Sequence, residues 1–66
     1  MDQIGEQIRA RRRSLKLTQQ ELADLAGCSA RFLGAVEAGK PGVRLDKVLD
    51  VVSALGLEVR LIPRAR

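Results

Sequence analysis

Thr18-Gln19-Gln20-Glu21-Leu22-Ala23-Asp24-Leu25-Ala26-Gly27-Cys28-Ser29-Ala30-Arg31-Phe32-Leu33-Gly34-Ala35-Val36-Glu37 holds two helix starts and one helix stop. Thr18 and Glu21 form a capping box: the threonine hydroxyl accepts from the third backbone N–H, and the glutamate reaches back to the cap. This starts a helix predicted over Gln19 to Ala26, with Leu22, Leu25 and Ala26 on its inner face. Gly27 ends it by supplying a left-handed residue. Ser29 caps a further helix running to about Ala38, with Phe32, Leu33 and Val36 as its apolar positions. Gly39 ends that one. Ala23 is small because the next helix crosses close above it, and Cys28, Leu33 and Val36 are apolar because they face a shared core.

On the N-terminal side, Asp2 to Lys16 carries Ile4, Ile8 and Leu15 at helical spacing. Arg9, Arg11, Arg12, Arg13 and Lys16 put five of the twelve positive charges into eight residues, with no acid among them. Such a run is ordinarily a solvated helix face. It also repels itself unless a polyanion or nearby carboxylates relieve it. At about 100° per residue these side chains surround the helix. They cannot all face one ligand, so most are expected to act at a distance.

On the C-terminal side, Lys40-Pro41-Gly42-Val43 reads as a loop. A fourth helix is predicted from about Leu45 to Leu55, with Leu45, Val48, Leu49, Val52 and Leu55 as its stripe and Asp46 suiting its first turn. Gly56 ends it. Leu57-Glu58-Val59-Arg60-Leu61-Ile62 then alternates apolar and polar until its last residue, the period of a strand, and Pro63 stops it. A strand needs an edge to pair with, and no other stretch supplies one. Either a second copy of the chain completes an antiparallel ribbon through Leu57, Val59 and Leu61, with packing from Leu49, Val52 and Leu55, or the segment is an extended tail.

The chain has 66 residues, enough for one domain whose core is small. Its 45% apolar content excludes a disordered chain, and with Phe32 as its one aromatic residue the core must be aliphatic. One cysteine and no histidine exclude an intrachain disulfide and argue against a structural zinc site. They also leave catalysis without a base for a nucleophile, so no catalytic residue, metal or cofactor is expected. Cys28 reads as a filler between the second and third helices. No apolar run approaches the length of a membrane span, and Met1-Asp2-Gln3-Ile4-Gly5 lacks the order of a signal peptide. A cytoplasmic protein is expected. Twelve Lys and Arg against eight Asp and Glu give +4, a balance that suits either a polyanion partner or a soluble basic surface.

Helix, glycine turn and helix at this spacing make a helix-turn-helix, with an ordinary helical hairpin that binds no DNA as the alternative. Leu17 to Ala23, Gly27-Cys28-Ser29 and Val36 to Lys40 resemble the Cro/C-type (Xre) helix-turn-helix superfamily over about residues 4–57. Arg31-Phe32-Leu33, Glu37 to Asp46 and Ala54 to Leu61 are most similar to the HipB-type antitoxins. The resemblance implies an all-α fold: a lambda-repressor-like bundle of four helices, with one C-terminal strand pairing across a homodimer. Residues 1–56 would form the DNA-binding domain and 57–66 the dimerisation strand and tail.

It further implies a nucleoid-associated, sequence-specific transcriptional regulator of inverted-repeat DNA. Such a protein would either autoregulate its operon while binding a HipA-like kinase toxin, or stand alone as an Xre-type repressor. By position, Ser29, Ala30, Arg31 and Ala35 would face bases or flanking phosphates. Arg31 could bond guanine O6 and N7 together. Thr18 and Gln19 would clamp a phosphate, and Lys40 and Arg44 would touch backbone. Arg12 and Glu37 align with a partly buried salt bridge, the alternative being that both are solvent-exposed. Gly34 and Ala35 stand where the family often has serine and a long polar residue. Base contacts would therefore be few, and specificity would rest partly on DNA shape.

Overall fold

In the computed structural model, which describes residues 2–63, the helices are α1 (Asp2–Ser14), α2 (Gln19–Ala26), α3 (Ala30–Glu37) and α4 (Leu45–Ala54). The capping box is formed: the Glu21 N–H donates to Thr18 Oγ1 at 3.0 Å, and the Thr18 N–H donates to Glu21 Oε1 at 2.8 Å. Ser29 Oγ likewise accepts from the Phe32 N–H at 3.0 Å. Gly27 has φ 75°, the left-handed conformation that turns α2 into α3.

α1 stops at Ser14, two residues before the expected Lys16. Lys16 itself is left-handed, with φ 59°. The Leu17 N–H then reaches the Arg12 carbonyl at 3.1 Å, a helix ending normally built on glycine. Leu15 therefore falls off the helix and is 43% exposed, rather than continuing the apolar line. The inward row of α1 is Ile4, Ile8 and Arg12, spaced by four.

Ile8, Leu22, Leu33, Val36, Val48, Val51, Val52 and Leu55 form an all-aliphatic core, with Phe32 half-buried at its edge. Two expected inner faces are rotated. Leu25 is 65% exposed. At 100° per residue it lies roughly 110° from the centre of the arc made by Leu22, Ala23 and Ala26. On α4 the buried arc runs through Val48, Val51, Val52 and Leu55, which turns Leu45 and Leu49 toward solvent and brings Val51 inside.

Gly5 is buried where α1 meets α3. A Cβ there would collide with the Val36 carbonyl oxygen and lie 3.1 Å from that of Glu37. These are backbone atoms and cannot rotate aside. Gly5→Ala should cost roughly 1–3 kcal/mol net, although alanine favours a helix by about 1 kcal/mol. Thermal unfolding should show a midpoint lower by several degrees. An alanine variant as stable as its parent would place the α1–α3 contact elsewhere.

No strand forms among the described residues. The lone chain offers residues 57–62 no second edge. Leu57 and Val59 lie beside Ile4, Ile8 and Val52, whereas Leu61 is 94% exposed. Val52 and Leu55 belong to the core, so of the six expected interface residues only Leu49, Leu57, Val59 and Leu61 present surface. Residues 64–66 of the expected tail lie outside the described residues, as does Met1. Among the described residues no helix is long and apolar enough to cross a membrane.

Candidate nucleic-acid interface

The most exposed side chain of α3 is Arg31, among half-buried Ala30, Gly34 and Ala35. Residues three and four apart share a helix face, so the outward strip of α3 is one long cation on a floor of small groups. Leu33 and Val36 pin the opposite side into the core.

Behind that strip, Arg12 and Glu37 form a bidentate pair. Arg12 Nε donates to Glu37 Oε2 at 2.8 Å and Nη2 donates to Oε1 at 3.0 Å. Arg12 Nη1 also donates to the Leu17 carbonyl at 2.8 Å. The side chains are only 10% and 4% exposed, which decides between the buried and solvent-exposed alternatives. Burial alone would push the Glu37 carboxyl up. The hydrogen bonds from Arg12 and Gln19, with the charges of Arg12 and Arg9, outweigh it and hold the carboxyl below the usual range. The bond to Glu37 in turn raises Arg12 against its own desolvation. Among the described residues no buried side-chain nitrogen or oxygen lacks a partner.

Gln19 Nε2 donates to Glu37 Oε1 at 3.3 Å, tying the start of α2 to the end of α3. Gln19 and Gly34 border one groove, and Ser29 and Arg44 border another. The structure thus gathers Gln19, Ser29, Arg31 and Arg44 around α3. Thr18 and Ser29 each accept one cap hydrogen bond, and each hydroxyl keeps its O–H for donation. Lys40 is exposed beyond α3. Arg44 is exposed but engaged by Asp46, with Nη2 donating to Oδ2 at 2.7 Å, so a phosphate there would compete with a carboxylate. Cys28 is half-buried against the core, and burial pushes its thiol up, away from the reactive thiolate.

Arg11 has a role that its neighbours do not share. Its Nε donates to the Leu55 carbonyl at 3.0 Å, satisfying a free acceptor at the end of α4. The partners are 44 residues apart, and nothing in the local pattern distinguishes Arg11 from Arg9 or Arg13.

A family model described as "Helix-turn-helix domain" matches residues 3–65. A Sinorhizobium fredii protein named an uncharacterized HTH-type transcriptional regulator, y4mF, is 41% identical over 59 residues, covering 89% of this chain and 78% of its own length. The immunity repressor protein of Bacillus phage phi105 is 36% identical over 59 residues, 89% of this chain and 41% of that protein. The HTH-type transcriptional repressor RghR of Bacillus subtilis is 46% identical over 43 residues, 65% of this chain and 32% of its own. The chain therefore spans less than half the length of the latter two.

Proposed function

Since this chain belongs to the helix-turn-helix family of transcriptional regulators, we propose that it is a homodimeric, operator-specific repressor that reads the major groove with α3. One observation carries the reading: Arg31 stands alone on a face of small residues, and the helix bearing it is fastened from behind by Arg12, Glu37 and Gln19. A helix face with so few long side chains approaches base edges closely. Arg31 supplies the directional contact, Ala30 and Ala35 offer methyl contact to thymine, and DNA shape supplies the remaining selectivity. Thr18, Gln19, Ser29, Lys40 and Arg44 fix the register through phosphates.

Two copies joined through residues 57–62 would place their α3 helices on half-sites about one helical turn (~34 Å) apart or a multiple of it. The exposed Leu61 and Ile62, and the tail backbone beyond Leu57, which has no backbone partner among the described residues, support that pairing. The place of action is then the nucleoid, in the cytoplasm. Names of regulators and repressors among the relatives favour the stand-alone repressor. An antitoxin role beside a HipA-like kinase rests on the sequence resemblance alone.

The test is Arg31→Ala, titrated against an operator selected from random duplexes. Affinity should fall by roughly 1–3 kcal/mol, about 5- to 150-fold, and preference should relax at one base position. Unchanged affinity and unchanged base preference would mean that α3 is not seated in this register.

A further inference from the structure

Resting on that DNA-binding reading, we infer that the groove between α1 and α3 seats one backbone phosphate per protomer, held by Arg9 and Arg13 beside Gln19. The groove has a volume of about 430 Å³. Its α1 wall carries Arg9, Arg12 and Arg13, and its other wall carries Gly34, Glu37 and Ala38, with Gln19 at the start of α2. Arg12 is cancelled by Glu37. Arg9 and Arg13 are four residues apart on one helix face, both exposed, and neither forms an ion pair or side-chain hydrogen bond among the described residues. Two guanidinium groups with their N–H donors uncommitted to any side chain thus border one concavity, and the guanidinium fork matches phosphate oxygens. Gly34 leaves the floor open: even a Cβ there would come no closer than 3.9 Å to Gln19 Oε1. The Gln19 amide retains a second N–H beside the one given to Glu37. Gly34 also belongs to the outward strip of α3, so the groove continues the surface that carries Arg31.

The arginine run of α1 then divides by direction. Arg11 and Arg12 point to protein partners, Leu55 and Glu37, while Arg9 and Arg13 point to a ligand. The expectation that most of the run acts at a distance thereby narrows to two direct contacts, Arg9 and Arg13.

The experiment follows log K against log salt on a random-sequence duplex, for the parent, the Arg9→Gln/Arg13→Gln double variant, Arg11→Gln and Ala38→Glu. Leaving one phosphate without its cation lowers the slope by about 0.9. The double variant should show a drop of about that size per protomer with an unchanged circular dichroism spectrum. Ala38→Glu, which keeps both arginines but puts a carboxylate on the groove wall, should show a similar drop. Arg11→Gln should keep the parent slope and melt at lower temperature. On a selected operator, one methylphosphonate position per half-site should weaken the parent but not the double variant. A double-variant slope equal to the parent's, or an Arg11→Gln drop as large as the double variant's, would overturn the assignment. A parent that binds no duplex would instead overturn the DNA-binding reading beneath it.

Discussion

Arg12→Ala is expected to destabilise the protein by roughly 3–5 kcal/mol, the cost of leaving one member of a buried ion pair without its partner. A chain of this size has only about 3–10 kcal/mol in total, so the variant should be largely unfolded or close to it. The cost exceeds that of a surface pair because the Glu37 side chain is only 4% exposed and water cannot replace the guanidinium. The Leu17 carbonyl is also left without its donor. Replacing both members by apolar residues, as in Arg12→Met with Glu37→Leu, should recover much of the stability, since the penalty comes from an uncompensated charge.

The pH dependence has a definite sign. The folded Glu37 carboxyl lies below its unfolded value. Its contribution is therefore complete above the ordinary glutamate range near 4.3 and is lost as pH falls through the folded value. Arg12, raised from an already high value, stays charged throughout. In Arg12→Ala the buried carboxyl is without its main partner and favours protonation. The gap between parent and variant should thus narrow on acidification. Denaturant midpoints at neutral pH and near pH 3 measure it. A variant as stable as the parent at neutral pH, or a gap that widens in acid, would contradict this account of the pair.

Under the proposed pairing through residues 57–62, Leu61→Asp should leave the protein monomeric and weaken operator binding roughly a hundredfold or more, because half-site binding forfeits the avidity of two linked sites. Leu61 discriminates between the two readings of the tail. It is 94% exposed in the single chain, so in a monomer the substitution would change almost nothing. In an antiparallel ribbon it would carry a charge into an apolar contact on both strands. Deleting residues 57–66 should have the same effect on assembly. It should also lower stability, since Leu57 and Val59 cover Ile4, Ile8 and Val52. Sedimentation equilibrium with operator titration checks both variants. A Leu61→Asp protein that remains dimeric with parental affinity would exclude the ribbon.

What could be read without coordinates was local in the chain. The Thr18–Glu21 box, the Ser29 cap and the Gly27 turn each involve residues within four positions of one another, and all three are formed. They mark the start of α2 and its junction with α3, and so place Arg31 at the second position of α3. The Arg12–Glu37 bridge was accessible only through the family resemblance, since the two residues lie 25 positions apart and no local spacing rule joins them.

Which face of each helix is buried was decided by how the helices cross. The apolar residues of α4 could have faced inward at Leu49 or at Val51, and packing into the shared core with Ile8, Leu22, Leu33 and Val36 chooses Val51. Lys16 became left-handed although no glycine announced it. Gly5 proved to be a contact point because the α3 backbone comes within reach of its missing Cβ. Arg9, Arg11, Arg12 and Arg13 share composition, spacing and charge. Their separation into protein-bound and solvent-facing groups depends on Leu55 and Glu37, which lie 44 and 25 residues away from Arg11 and Arg12. Helix starts and stops are set by hydrogen bonds between neighbours in sequence and can be read along the chain, whereas burial and charge pairing depend on neighbours in space and require the packed structure.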